Sequence, residues 1–226
     1  MHRRITGDCL QVLPKLLDEG LTVDGIIVDT PYPELEKHRK IGTTTRLKKT
    51  WFPTMTWGEI YLAFYHTVPL LKKGGSIYSF INTSGYTKME NALTASDYIP
   101  RNMLIWDKDQ MGMGYHWRNS FEPIVFASKG KAKMTPYVRK HKNILRAKPV
   151  KNLDFPTAKP PRLYEQIIRA IIDIDKEETG TILDFSAGTD PLCRAARRLD
   201  IDSISIDIKY PDTAYKLNKE DTQETL

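Results

Sequence analysis

The chain has 226 residues, 40% hydrophobic and 27% charged, which is enough apolar surface for one α/β domain with a sizeable core and too little for two domains of ordinary size. No apolar run approaches the roughly 20 residues of a membrane helix, and Met1-His2-Arg3-Arg4 opens without the apolar stretch of a secretory signal. Cys9 and Cys193 lack the spacing of a disulfide framework or a metal site, so the expectation is a cytoplasmic protein with both thiols reduced, no membrane and no metal.

The net charge of +6 is concentrated. Residues 129–151 carry nine Lys or Arg, among them Arg139, Lys140 and Lys142, and no acid; take those nine from the +6 and the remainder stands at −3. Arg46, Lys48 and Lys49 belong to a second cluster, begun by Lys37, Arg39 and Lys40, with Glu34 and Glu36 as its only acids. Scattered lysines make a solvated face, whereas two unbalanced blocks favour a polyanion partner.

In chain order, residues 5–9 read as a short strand ending at Gly7-Asp8, and helical spacing runs from Leu10 to Leu17 around Pro14, a helix expected to be short or bent. Gly25-Ile26-Ile27-Val28 reads as a buried strand stopped by Pro31. That leaves Asp29, Thr30, Pro31 and Tyr32 at its carboxyl end, where an open α/β sheet binds ligands, although an ordinary strand-to-loop turn also uses Asp and Pro. The basic loop over 33–56 is long for a compact domain, which marks it as functional or mobile. From Trp57, apolar residues recur at helical intervals through Leu71, and Lys72-Lys73-Gly74-Gly75 reads as late cations followed by a glycine cap.

Strands follow over 76–81, 102–106 and 123–127, with a helix over 86–95 and a glycine-spaced aromatic loop, Gly112 to Asn119, between the last two strands. Pro160-Pro161 starts a helix with Leu163, Ile167, Ile168 and Ile171 on one face. Thr181 to Asp184 is a strand, 185–189 a tight turn, and Asp190-Pro191 an N-cap with proline at the first helical position. Residues 204–207 form the last strand, and a polar tail runs from 210. The alternation predicts one α/β domain over 1–226, with a mainly parallel seven-stranded sheet.

A strand, tight turn and helix start at Asp184 to Pro191 present backbone N–H groups to a ligand. Asp207, about twenty residues on, is placed to accept hydrogen bonds from ribose hydroxyls, so a nucleoside-containing cofactor is implied. Only Gly188 supplies glycine in that turn, and the early glycine fingerprint of a nucleotide-dependent oxidoreductase is absent.

Asp29-Thr30-Pro31-Tyr32 resembles the Asp-Pro-Pro-Tyr signature of DNA amino-methyltransferases. Gly7-Asp8-Cys9-Leu10, Leu71-Lys72-Lys73-Gly74-Gly75, Phe155-Pro156-Thr157-Ala158-Lys159-Pro160 and Leu183-Asp184-Phe185-Ser186-Ala187-Gly188-Thr189 resemble further blocks of that family. Their order, with the catalytic signature first and the cofactor turn last, is that of the permuted beta group. The resemblance implies a Rossmann-like S-adenosylmethionine-dependent methyltransferase fold, helices on both faces of the sheet, and methyl transfer to adenine N6 of a base flipped out of double-stranded DNA.

In that reading Asp29 and the Thr30 carbonyl accept the two amino hydrogens, and Tyr32 stacks on the flipped base, with Tyr115, Trp117 or Phe121 as the other wall or as a wedge. Plain core packing is the other reading for those aromatics. Asp184, Ser186, Gly188 and Thr189 surround the methionine part of S-adenosylmethionine, Asp207 holds the ribose, Asp8 and Cys9 lie by the adenine, and Thr157 and Lys159 border the cofactor. Arg46, Lys48, Lys49, Arg118, Arg139, Lys140 and Lys142 contact DNA, with 129–151 as a short recognition segment. Dimers occur in the family, and so short a recognition region makes a second copy an expected partner.

Two departures matter. Thr30 replaces a proline, which keeps the carbonyl but changes the stiffness of the loop. Asp190 stands where the family has a second glycine, and its carboxylate is expected either to cap its own helix, in competition for the turn's N–H groups, or to pair with the methionine ammonium. The alternatives left by the sequence are a cytosine-N4 enzyme, whose signature usually opens with Ser, and a catalytically impaired DNA-binding relative.

Overall fold

The computed structural model describes residues 1–35, 53–112, 116–150, 158–211 and 214. Eight strands are present among them: β1 (His2–Thr6), β2 (Val23–Val28), β3 (Leu71–Phe80), β4 (Ile99–Asp107), β5 (Phe121–Ser128), β6 (Ile144–Arg146), β7 (Thr181–Asp184) and β8 (Asp202–Asp207). They form one sheet in the order β1-β8-β7-β2-β3-β5-β4-β6. All neighbours are parallel except where β5 runs antiparallel to both β3 and β4.

The sheet is buried on both faces because its strands alternate between two cores. Ile26, Val28, Ile77, Val125, Ala127, Leu183, Ile204 and Ile206 face one cluster, together with α1 (Cys9–Asp18), α2 (Trp57–Leu70) and α3 (Tyr86–Ala95). Ile27, Tyr78, Ile124, Phe126 and Ile182 face the other, with α5 (Pro161–Ile171) and α6 (Pro191–Arg198). A one-residue slip of any strand would exchange the two faces, so near-continuous apolar runs such as Gly25 to Val28 are what such a sheet requires.

Three expectations are corrected. The sheet has eight strands, because residues 144–146 inside the basic segment pair parallel to β4 with Ile105 opposite Ile144. The basic segment is therefore partly an edge strand, preceded by the one-turn helix α4 (Pro136–Arg139). Leu71 to Gly75 does not end α2 with a glycine cap: Leu71 is already extended and pairs with Val23, and the register shifts over Lys72 to Gly75, with Gly74 at φ 84°, before Ser76 pairs with Gly25. Pro14 lies inside α1, which runs ten residues.

The carboxyl ends of β1, β8, β7 and β2 lie side by side, and reversal of β5 brings its first residues, Phe121 and Glu122, to the same edge as the last residues of β4. The start of α2 is tied to that edge by the Met55 N–H donating to the Pro31 carbonyl at 2.7 Å. Thr56 then closes a capping box, its hydroxyl accepting from the Glu59 N–H at 3.2 Å while Glu59 accepts from the Thr56 N–H at 2.7 Å. Thr56→Ala is expected to lower stability by about 1 kcal/mol, read as a lower urea midpoint at unchanged m-value.

Candidate active site

A cavity of about 460 Å³ opens at this edge, lined by both halves of the predicted site: Gly7, Asp8 and Cys9; Asp29 to Tyr32; Ser186 to Thr189; and Asp207. Residues about 180 positions apart in sequence thus line one cavity, because β1, β8, β7 and β2 are neighbours.

The cofactor side is built from hydrogen-bonded turns. The Gly7 N–H donates to the Asp207 carbonyl at 2.9 Å, joining the ends of β1 and β8. Asp8 caps α1 by accepting from the Leu10 N–H at 3.0 Å, and its side chain stays exposed. Cys9 is buried, and that burial pushes its thiol up to about 12, so it is a packed wall and not a thiolate. Asp207 accepts from the Gly188 N–H at 2.7 Å and from the Lys209 N–H at 3.1 Å, which leaves lone pairs for ligand hydroxyls. Gly188 sits at φ 53°, in the left-handed region that lets the turn fold back over that carboxylate.

Asp184 lies beneath the turn. It is fully buried, accepts from the Ser186 N–H at 2.9 Å and from the Tyr164 hydroxyl at 3.4 Å, and burial pushes its carboxyl well above the usual range. It shapes the turn from below; Ser186, Gly188 and Thr189 are the residues that reach the cavity.

Asp190 takes the helix-capping alternative. At φ 58° it adopts the conformation that a glycine would hold more easily, but its buried carboxylate accepts from the Cys193 N–H at 3.2 Å and the Ser205 hydroxyl at 2.7 Å, and forms an ion pair with Arg4 Nε. It takes no N–H from Ser186 or Gly188, which donate to Asp184 and Asp207. The substitution thus fastens β1, β8 and α6 together behind the turn.

On the other side, Asp29 meets groups that the sequence does not bring together. Lys159 Nζ forms an ion pair with Asp29 Oδ2 and lies 3.5 Å from Glu122 Oε2; Glu122 Oε1 in turn accepts from Lys108 Nζ at 2.6 Å. The Lys159 ammonium also lies over the rings of Phe80 and Trp106, at 5.5 and 5.8 Å from their centroids. Burial pushes Lys159 down, but Asp29 and Glu122 outweigh it and hold the ammonium above its usual range. Burial pushes Glu122 up, and Lys159 and Lys108 outweigh it and hold it low. For Asp29 burial wins over Lys159, and its carboxyl stands above the usual range although a quarter of its side-chain surface is open to the cavity.

The Thr30 carbonyl accepts from the Tyr32 N–H at 2.9 Å and keeps one lone pair. Tyr32 is half-buried against the core and lines the cavity, with its hydroxyl pushed up by burial and by the nearby Asp29. The Thr30 and Thr189 hydroxyls are buried without a hydrogen-bond partner among the described residues, and both belong to residues lining the cavity. Orphaned polar groups of this kind fit a polar ligand on both sides of the cavity.

Of the remaining predicted residues, Trp117 is 95% exposed between β4 and β5, where the base of a hairpin is closed by the Lys108 N–H donating to Ser120 O at 2.9 Å. Arg118 donates to the Gly112 carbonyl at 2.8 Å on the same hairpin, and Phe121 is partly exposed where β5 begins. Arg139, Lys140 and Lys142 are exposed, but α4 follows Thr135, which is bonded to the Arg169 and Ala170 carbonyls at the far end of α5 from Lys159. The structure brings these three to the outer edge of the sheet and not to the cavity lining. Arg46, Lys48, Lys49, Tyr115 and Thr157 lie outside the described residues. Within the basic segment, Lys129 is structural, donating to the Val68 and Leu71 carbonyls at 2.7 Å each. The sequence reading missed Glu122 and Lys108; an acid directly before the apolar run Pro123 to Ala127 was the one signal for Glu122.

The sequence model of the DNA methylase family, covering N6 and N4 enzymes, matches residues 23–211. The chain belongs to that family. No curated protein matches it. Among solved structures, M1.HpyAVI in complex with SAM is 19% identical with a TM-score of 0.71, covering 97% of this chain and 100% of its own. A putative DNA modification methylase of Thermus thermophilus, complexed with S-adenosyl-L-methionine, is 16% identical with a TM-score of 0.69, over 99% of this chain and 94% of that one. The cytosine-N4-specific PvuII DNA methyltransferase is 13% identical with a TM-score of 0.63, over 98% and 92%. These likenesses establish the methyltransferase fold.

No helix among the described residues is long and apolar enough to cross a membrane. Asp190→Gly relaxes the left-handed backbone but removes a cap and one partner of a buried ion pair, and it is expected to destabilise the chain by about 3 kcal/mol in urea unfolding.

Proposed function

We propose that this DNA methylase transfers a methyl group from S-adenosylmethionine to adenine N6 of a base flipped out of double-stranded DNA, as a member of the permuted beta group. The observation that carries the reading is the pairing of Asp29 and the Thr30 carbonyl on one wall of a cavity whose other wall is the Asp207 and Gly188 turn. Asp207 would take ribose hydroxyls, Thr189 and Ser186 would meet the methionine end, and Asp8 and Cys9 would flank the adenine. When bound, S-adenosylmethionine supplies an electrophilic methyl group carried on a positively charged sulfur.

The protein's own part is positioning and electrostatics. An exocyclic amino nitrogen is a poor nucleophile because its lone pair is delocalised into the ring. Asp29, through its oxygen not held by Lys159, and the Thr30 carbonyl, through its free lone pair, accept the two amino hydrogens. The lone pair is then drawn out of conjugation; the new C–N bond would form as the methyl's bond to sulfur breaks with its electron pair staying on sulfur, and the nitrogen would lose one of those hydrogens as a proton to Asp29. Tyr32 would offer its ring for stacking, and Trp117 would enter the gap left by the flipped base, a role supported by its exposure beyond the closure of Lys108 on Ser120. Arg46, Lys48, Lys49 and Arg118 supply phosphate contacts, Arg139, Lys140 and Lys142 extend them along the sheet edge, and a second copy of the chain completes the recognition surface.

An acid at position 29, where cytosine-N4 signatures open with Ser, supports adenine over cytosine. Asp29→Ala is expected to cut methyl transfer at least about 100-fold while leaving DNA affinity and its salt dependence unchanged, because the carboxylate contacts the base and not the phosphates. Tritiated methyl transfer and fluorescence anisotropy on the same DNA read the two quantities. Methylation-sensitive sequencing of DNA from cells expressing the chain is expected to report N6-methyladenine; N4-methylcytosine instead would overturn the substrate assignment.

A further inference from the structure

Asp29 is not a free carboxylate. It ends a row of four charges in strict alternation, Lys108, Glu122, Lys159 and Asp29, linked by the 2.6 Å bond between Lys108 and Glu122, the 3.5 Å approach of Glu122 to Lys159, and the Lys159 ion pair with Asp29. Lys159 is 8% exposed, and its ammonium is surrounded by two carboxylates and the rings of Phe80 and Trp106. Those contacts hold the ammonium against Asp29 at the cavity wall. We propose that Lys159 is a positioning residue for the reaction: it occupies one carboxylate oxygen of Asp29, leaves the other as the single acceptor aimed at the target amino group, and with Glu122 and Lys108 sets the pH range over which that acceptor is charged. This rests on the reading of Asp29 given above.

The physical case has two parts. A carboxylate on a rotatable Cβ–Cγ bond offers two equivalent oxygens, and a buried ammonium fixed on one of them removes that freedom before the base arrives. Only the charged form of Asp29 can accept both lone-pair contacts, and a cavity wall of low polarity favours the neutral form, so a cation in contact is what keeps the acceptor in use. Glu122 acts in the opposite sense: it anchors Lys159, but its own negative charge opposes ionisation of Asp29. Lys108 adds a second cation beyond it. Among the described residues, the other titratable groups near Asp29 are Tyr32, Tyr164 and Asp184. The two tyrosines are held neutral by burial and Asp184 is pushed toward its protonated form, which leaves the row of four as the setting for Asp29.

The two neighbours therefore make opposite predictions, which a merely structural role would not. In the full-length protein labelled with carbon-13 at aspartate side-chain carboxyls, the Asp29 resonance is identified by its loss in Asp29→Asn and titrated without cofactor or DNA. Lys159→Met is expected to move the Asp29 midpoint to higher pH and Glu122→Gln to lower pH, each by about tenfold in proton affinity. The acid limb of the single-turnover rate of methyl transfer, measured with S-adenosylmethionine and unmethylated genomic DNA, is expected to move in the same two directions, while S-adenosylmethionine affinity by calorimetry stays the same. Glu122→Gln keeps the shape of the site and gives its own reading if Lys159→Met fails to fold. Midpoints that stay put, or that move in the same direction in both variants, would overturn the inference. Midpoints that move as expected with an unmoved acid limb would refute the catalytic role of Asp29 instead, which separates the two failures.

Discussion

Two cations and two carboxylates share the floor of the cavity, and the structure around them reads as the means of holding that arrangement. Each charge alone would cost several kcal/mol to take from water, and removing any one would strand a neighbour of the opposite sign. The four come from four elements: Lys108 follows β4, Glu122 opens β5, Lys159 precedes α5 and Asp29 follows β2. They meet because strands β2, β3, β5 and β4 are consecutive in the sheet and because α5 packs across the face that carries Ile27, Tyr78 and Phe126. Trp106 donates its indole N–H to the Ala147 carbonyl at 2.7 Å, which fixes one of the two rings beneath the Lys159 ammonium.

The cofactor side follows a different logic. Its acids are held by backbone N–H groups and by one another's strands, not by a neutralising partner at the cavity. Asp184 and Asp207 are both pushed up by burial, and the one acid with a cationic partner, Asp190, faces away. In the proposed reading, the half that would meet a cationic ligand keeps its carboxylates free of protein cations, whereas the half that would meet a neutral amino group balances its charge internally. The arrangement follows from electrostatics alone: a protein cation beside Asp207 would compete with a positively charged ligand, and an uncompensated Asp29 would favour protonation.

What the sequence revealed and what it hid divide along sequence separation. The strand ends at Asp29, Asp184 and Asp207 were legible because acid, turn and cap sit within a few residues of each apolar run, and the seven strands read from periodicity are all present. β6 was hidden because three residues in a basic stretch carry no periodicity, and its pairing with β4 is a tertiary fact. The end of α2 was misread because Lys72 to Gly75 has the composition of a helix stop, while the same glycine at φ 84° serves a bulged strand entry. Lys159 is expected at the cofactor border, and the ion-pair partner that no local pattern announces, Asp29, is 130 residues away. Glu122 and Lys108 lie only 14 residues apart, but nothing local says that the hairpin between them closes at its base.

That closure reaches beyond the reaction itself. The chain leaves the site at Lys108 and returns at Ser120, with the two backbones bonded at 2.9 Å, so the hairpin is an excursion whose departure and return are fixed by the sheet and not by its own length. The entropy of closing such a loop grows only logarithmically, each doubling of its length adding about 0.6 kcal/mol. Residues beyond the closure can be lengthened, shortened or exchanged without moving Lys108, Glu122 or the acid they help to hold. A reversed strand in an otherwise parallel neighbourhood thus separates the excursion between Lys108 and Ser120 from the charged floor it leaves, so that a change in one need not disturb the other.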